Sequence, residues 1–184
     1  KTMESNSNPA LLTASISGDI LTLDYKENQN GSASITIRAT SNGKTVDDIF
    51  TVTVKAINDA PISVATTGSG DEGGTITSTL SATDIDDSDA TGFTFIIVSA
   101  PTYISGSISI GTVSYSSSTF TATATYTHDD SENFSDSFTY KVNDGEDDSN
   151  TSTSTITITP VDDAPRVANG ITVEPVNEDD SNTT

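Results

Sequence analysis

Oxygen donors dominate the chemistry open to this chain. Asp and Glu number 27 against seven Lys and Arg, with one His and no Cys. One short polar stretch occurs twice, as Ile57-Asn58-Asp59-Ala60-Pro61 and as Val161-Asp162-Asp163-Ala164-Pro165. Each copy offers one or two side-chain oxygens plus backbone carbonyls at one spot, the donor set that a hard cation takes. A second acidic run is Asp84-Ile85-Asp86-Asp87 with Asp89. Asp is common in solvated turns, so that run alone is weak evidence for an ion. A third run, Asn143 to Asp148, is mixed: Glu146, Asp147 and Asp148 read as a solvated hairpin tip.

Other chemistries find little in the residues. His128 stands beside Asp129 and Asp130, but a lone His at a strand end is far more often structural than catalytic. There is no nucleophile motif, no His/Cys metal cluster and no phosphate-cradling Gly loop. Paired carboxylates need a cleft to act as acid and base, and nothing in the sequence predicts one. The chain is therefore not expected to be an enzyme. A formal charge of −20 argues against nucleic acid and against an anionic membrane surface, which both need clustered Lys and Arg. No apolar run approaches the roughly 18–20 residues that span a bilayer, so membrane insertion is not expected. The absence of Cys rules out disulfides and leaves metal ions as the available staple. The chain opens at Lys1 without a signal peptide, and is read as a piece of something longer. Four Asn-x-Ser/Thr sites, at Asn30, Asn133, Asn150 and Asn182, are read as accidental.

The elements that would position these oxygens are strands. Hydrophobic residues make up 32%, below the roughly 45–50% of globular domains. That composition fits either disorder or small β domains with thin cores. Period-2 alternation decides for the second. Ala33, Ile35, Ile37 and Ala39 share one face of a strand over 32–40, as Phe120, Ala122, Ala124 and Tyr126 do over 119–127. Further strands are predicted over 10–16, 19–25, 46–57, 74–83, 93–98, through Phe138, Tyr140 and Val142, and over 151–159. Residues 104–115 are predicted to form one bent hairpin, while Lys1 to Pro9 are polar and carry no signal. A strand also opens after Pro165, through Val167, Ile171, Val173 and Val176. No helical period stands out. Asn58 and Asp162 are 104 residues apart, the spacing of a tandem array. The fold class expected is all-β: tandem Greek-key β-sandwich domains, cadherin-like or Ig-like, joined by short linkers. The expected division is the C-terminal part of one domain over 1–59, a complete domain over 60–163, and the start of a third over 164–184.

The stretch from Asp136 through Tyr140 to Asp144-Gly145, followed by a Thr-rich strand and Asp162-Asp163-Ala164-Pro165, resembles bacterial cadherin-like repeats. So do Asp71-Glu72-Gly73-Gly74 and Asp84-Ile85-Asp86. Such repeats occur in large surface adhesins of Gram-negative bacteria, and the resemblance covers nearly the whole chain. It implies calcium at the junctions. At the first junction it implies Asn58 and Asp59 from the linker, Asp84, Asp86 and Asp144 from the following domain, and Glu27 from the preceding one. At the second it implies Glu72, Asp130 or Glu132, Asp162 and Asp163. Cadherins proper have a longer acidic linker, which lowers the expected ion count to one or two per junction. Ser41-Asn42-Gly43 stands where Asp-Gly is expected, so the far junction of the first domain is expected to bind calcium poorly.

The function expected is a calcium-stiffened extender of a long adhesin or extracellular filament on the bacterial surface. Its expected partners are neighbouring repeats of the same chain and other copies in a filament. The alternative is a carbohydrate-binding module that takes a glycan, for which Tyr103 and Tyr115 are the candidate stacking residues.

Overall fold

The computed structural model describes residues 1–163. The strand predicted after Pro165 and the start of the third domain lie outside the described residues. All regular structure among them is β. No helix there is long and apolar enough to cross a membrane.

Five strands precede the first linker: β1 (Thr2–Asn6), β2 (Leu12–Ser17), β3 (Ile20–Tyr25), β4 (Gly31–Ser41) and β5 (Lys44–Val54). They make a three-stranded sheet in the order β1-β4-β5 and a separate β2-β3 pair. The alternating residues of β4 do what their period demands: Ala33 and Ile35 are buried with Leu11 and Leu12, while Phe50, Val52 and Val54 pack beside them partly buried. The hairpin from β4 to β5 turns at Asn42 and Gly43, both at positive φ. Asn-Gly adopts that backbone readily, which is why this turn was legible. β1 was not. Its residues other than Met3 are polar and almost all are exposed, and it is a strand because Met3 and Asn6 pair with Ile37 and Ile35 of β4.

Nine strands follow the linker: β6 (Ile62–Val64), β7 (Thr66–Asp71), β8 (Thr75–Thr83), β9 (Thr94–Ser99), β10 (Ile104–Ile110), β11 (Ser114–Ser116), β12 (Thr119–His128), β13 (Ser135–Asn143) and β14 (Ser152–Thr159). Their path is β10-β12-β8-β7-β14-β13-β9, with β6 on β8 and β11 on β12. β7 joins the two halves of the path, antiparallel to β8 and parallel to β14. The core between them holds Ile76, Leu80, Phe120, Tyr126, Phe138, Tyr140, Val142, Ile156 and Ile158. Phe93 and Phe120 stack across it with ring centroids 3.7 Å apart.

Residues 104–115 are not a hairpin. β10 and β11 do not pair with each other; both lie along the same strand, β12, and Gly111 continues the ladder by donating to the Thr123 carbonyl at 2.9 Å. The alternation there was real, but it belonged to one bent edge.

β7 escaped the sequence because its Thr-Thr-Gly-Ser-Gly run has no apolar period. Its glycines answer to packing. A Cβ on Gly68 would sit 2.5 Å from the Thr77 carbonyl oxygen and 2.8 Å from Ile156 Cδ1. Gly68→Ala is expected to destabilise the domain by about 1–3 kcal/mol through overpacking. The check is a lower urea midpoint at unchanged slope; an unchanged midpoint would mean that β8 moves aside freely.

Candidate metal centre

β8 has the acidic residues of interest at both its ends, and its nine residues span about 30 Å. At its C-terminal end the chain leaves Thr83 into a tight acidic turn. Asp84 Oδ1 accepts the backbone N–H groups of Asp86 and Asp87 at 2.7 and 3.0 Å. This Asx-type turn folds the loop back on itself and brings Asp87 round. The loop between β13 and β14 does the same: Asp144 Oδ1 accepts the N–H groups of Glu146 and Asp147, both at 2.7 Å. The two turns face each other. One carboxylate oxygen each from Asp84, Asp87 and Asp144 lie within 4.8 Å of one another.

The linker closes over this group. Asn58 donates its side-chain amide to Asp144 Oδ2 at 2.9 Å and to Asp147 Oδ2 at 3.3 Å. The Asp59 backbone N–H donates to Asp86 Oδ2 at 2.7 Å. A cleft of about 280 Å³ lies alongside, lined by Asn28, Gln29, Asn30 and Val54 to Ile57 from the first unit and by Asp59 and Asp86.

The electrostatics are uneven. Burial pushes the Asp144 carboxyl up, but hydrogen bonds from Asn58 and from the backbone of Asp147 and Glu146 outweigh it and hold the group below its ordinary range. Asp87 goes the other way: burial raises it, and repulsion from Asp84, Asp144, Asp89 and Asp86 raises it further. Asp84 Oδ2 is buried and has no hydrogen-bond partner. A buried carboxylate oxygen left without a donor is unfavourable, and in a cluster of acids the group that satisfies it is a cation. Carboxylates are what calcium prefers, and ligands on opposite sides of one calcium ion are about 4.8 Å apart. The residues fit the ion.

The predicted ligands thus divide. Asp84 and Asp144 converge. Asp86 does not join them, because its carboxylate is held by the linker N–H; Asp87 completes the group instead. Asn58 and Asp59 reach the site through N–H groups. Glu27 is exposed on the preceding unit and is not among the converging acids; its neighbour Asn28 lines the cleft in its place. Asp87 was missed, although its signal was present: an Asx turn at Asp84 directs the third residue after it, not the second, back toward the start.

The N-terminal end of β8 is built differently. Glu72 is 6% exposed. Its Oε2 accepts the Val161 N–H at 3.1 Å, and its own N–H donates to the Thr159 carbonyl at 2.9 Å. Its Oε1 is buried and unpartnered, as is His128 Nε2. His128 Nδ1 accepts the Gly73 N–H at 3.3 Å, and the ring is 1% exposed. This histidine is a core residue that anchors the Glu72 turn. Asp130 lies against Gly73, where its Oδ1 would be 2.5 Å from an added Cβ. Asp162 and Asp163 are exposed. Among the described residues, Glu72, Asp130, Asp162 and Asp163 do not converge as the first group does. Neither candidate stacking residue is a free platform. Tyr115 packs on the core with its ring 4.7 Å from Phe120, and Tyr103 is half-buried beside His128.

A two-layer sandwich with acidic turns at its poles and a short linker across one of them defines an Ig-like, cadherin-like domain. The model of the bacterial Ig domain matches residues 58–159, and the chain belongs to that family. No curated protein matches it. Among solved structures, human mucin-like protocadherin EC1-2 is similar, with a TM-score of 0.50 and 21% identity over 87% of this chain and 83% of that one. This is a likeness of fold. Endo-fucoidan hydrolase MfFcnA4 from glycoside hydrolase family 107 is similar at a TM-score of 0.40 and 18% identity; this chain spans 23% of its length. Domains 4 and 5 of the S-layer protein SbsC are similar at a TM-score of 0.31 and 17% identity, over 85% of this chain and 69% of that one.

Proposed function

We propose that the chain is a calcium-stiffened extender segment of a longer bacterial surface protein, with adhesive activity located elsewhere. Its repeats are the units over 1–59, 60–163 and 164–184, and each partners the next along the chain. The observation that carries this reading is the unpartnered Asp84 Oδ2 among converging carboxylates, directly beneath the linker. Asp84, Asp87 and Asp144 would hold the ion. Linker oxygens of Asn58 and Asp59 would complete its shell once their present hydrogen bonds are exchanged. Glu72 with the linker residues Asp162 and Asp163 would form the corresponding joint at the other pole.

The effect falls on the hinge more than on the fold. An extracellular site with a dissociation constant near 10⁻⁴ M, at about millimolar calcium, contributes on the order of 1–1.5 kcal/mol. Without the ion, nothing draws the linker oxygens onto the Asp84, Asp87 and Asp144 carboxylates, which repel one another, and the angle between units widens its range. Small-angle scattering of the chain in calcium and then in chelator is the test. A longer maximum dimension and a narrower shape distribution are expected with calcium. Profiles that overlay in the two buffers would rule out stiffening.

A further inference from the structure

The unit after the linker carries a long neutral tract. From Ala90 to Thr127 there is no Asp, Glu, Lys, Arg or His, in a chain with a formal charge of −20. That tract supplies β9 to β12, and with them both ends of the sheet path, β9 at one and β10 at the other. A terminal strand shows unpaired N–H and C=O groups on its outer side. Both edges lie well inside the span that the bacterial Ig model matches, so they belong to the domain itself. They differ in regularity. β10 breaks its register on β12 between Ser105 and Ser109 and holds Gly106 at a φ of +90°. β9 keeps step with β13 from Thr94↔Asn143 to Ile97↔Tyr140 and only then bulges, at Val98. Among the described residues no strand lies beyond β9.

The direction of the backbone groups on β9 follows from β13. Val142 donates its N–H to Ser149 Oγ at 2.8 Å, and its carbonyl accepts the Ser149 N–H at 2.8 Å. Both its groups thus face away from β9. Successive residues of an antiparallel ladder face opposite ways. Lys141 and Asn143 therefore bond Ile96 and Thr94, which leaves the N–H and C=O groups of Phe95 and Ile97 on the open side. The side chains beside this edge are apolar: Ile96 and Val98 are 38% and 53% exposed. Natural sheets commonly block such an edge with charge, and the unit before the linker does so. There β1 likewise bulges on β4, between Met3↔Ile37 and Ser5↔Thr36. The extra residue is Glu4, ion-paired to Arg38 at 3.1 Å. In β9 the extra residue is Val98.

We propose that β9 is a self-association strand, which pairs antiparallel with β9 of a second copy of the chain about a twofold axis at Ile96. In that register Phe95 lies opposite the partner's Ile97, and Ile97 opposite the partner's Phe95. Each couple turns its free N–H and C=O groups toward the other, so each exchanges a full pair of hydrogen bonds. Ile96 meets the partner's Ile96, and Thr94 meets the partner's Val98. Apolar β-branched pairs across strands stabilise a sheet. An isologous contact sets each residue at the axis against itself, so a charge there would face its own like; β9 has none.

Charge selects a second copy as the occupant. Two molecules of charge −20 repel, and they approach closely only where both surfaces are neutral. The β9 edge is such a surface, and it is complementary to itself. The contact is short, so a single unit associates weakly. Salt screens the repulsion between the rest of the two molecules and strengthens it. No carboxylate takes part, so the contact is independent of any cation at Asp84, Asp87 and Asp144. Its geometry sets two chains side by side and running in opposite directions.

Sedimentation equilibrium of the full chain in chelator, at low and at high salt, tests this. The mean mass is expected to rise with concentration from 19.1 kDa toward twice that, and to rise further in high salt. Ile96→Lys sets two ammonium groups opposite each other at the axis and is expected to weaken association about tenfold or more. Its urea midpoint is expected to stay unchanged, because Ile96 lies outside the core. As a second readout, an Ile96→Cys chain is oxidised mildly beside a Thr77→Cys chain, whose thiol lies on the exposed face of β8. The protein has no Cys of its own. Across an antiparallel couple without hydrogen bonds the Cα atoms are about 4.5 Å apart, within disulfide reach. Ile96→Cys is therefore expected to give the covalent dimer well ahead of Thr77→Cys. A mass of 19.1 kDa at every concentration and salt overturns the proposal. So does association that Ile96→Lys leaves intact or that high salt abolishes, and so do equal crosslinking rates for the two Cys chains.

Discussion

Asp84→Asn is expected to stabilise the cation-free protein and to weaken its calcium binding by about tenfold or more, which is about 1.4 kcal/mol. The two effects have one cause. Asp84 shares a small space with Asp87 and Asp144, with oxygens of all three inside 4.8 Å. Two like charges about 4 Å apart near a protein surface repel by about 4 kcal/mol before water and salt screen them, and these groups are partly exposed, so the surviving term is nearer 1 kcal/mol. Asparagine keeps the Oδ1 acceptor that holds the turn through Asp86 and Asp87. It replaces the unpartnered Oδ2 with an amide that donates to the facing carboxylates. Repulsion is removed, and so is one anionic ligand.

The pH dependence follows with its sign. Burial and the neighbouring acids hold the Asp87 proton more tightly in the folded protein than in the unfolded chain. Its contribution to stability is therefore present below the ordinary carboxylate range and is lost as pH rises through the raised value. Asp84→Asn lifts one of the causes, so that loss becomes smaller. Urea unfolding across acidic pH in chelator, with calorimetric calcium titration at neutral pH, reads both arms. Identical calcium isotherms for the two proteins would mean that the acidic turns are only solvated loops.

The largest effect on the fold is expected at Tyr140. Its ring is fully buried, and its hydroxyl donates to the Val64 carbonyl while accepting the Ser81 N–H at 3.2 Å. One side chain on β13 thus reaches across the core to β6 and β8. Tyr140→Ala is expected to destabilise the domain by about 3–5 kcal/mol from the cavity alone, with more from the unpaired backbone groups. Tyr140→Phe separates the terms. It keeps the packing and leaves the Val64 and Ser81 groups unpaired, for about 1–3 kcal/mol. A domain of this size has about 5–15 kcal/mol in total, so the alanine variant approaches unfolding. Denaturant midpoints measure both; equal midpoints for Tyr140→Phe and wild type would show that the hydroxyl is dispensable.

Where apolar residues alternate along a strand with one buried face, the sequence reported it. β4, β8, β12, β13 and β14 carry alternating apolar residues because sheet side chains alternate by two, and the core accepts only one set. The Asn42-Gly43 turn, the paired Asn/Asp-Asp-Ala-Pro linkers and the family resemblance were legible for similar local reasons. Tertiary pairing decided the rest. β1 and β7 are strands because partners lie beside them, and neither polar side chains nor glycines announce a partner. The site divides the same way. Acidic composition marked the loops after β8 and β13, and Asp84 and Asp144 do converge. Which of Asp86 and Asp87 joins them depends on two Asx turns meeting across the end of the sandwich. The linker contributes N–H groups there, and its oxygens take no part. That arrangement is a property of two loops brought together from residues sixty apart in the chain, and only the folded sandwich sets it.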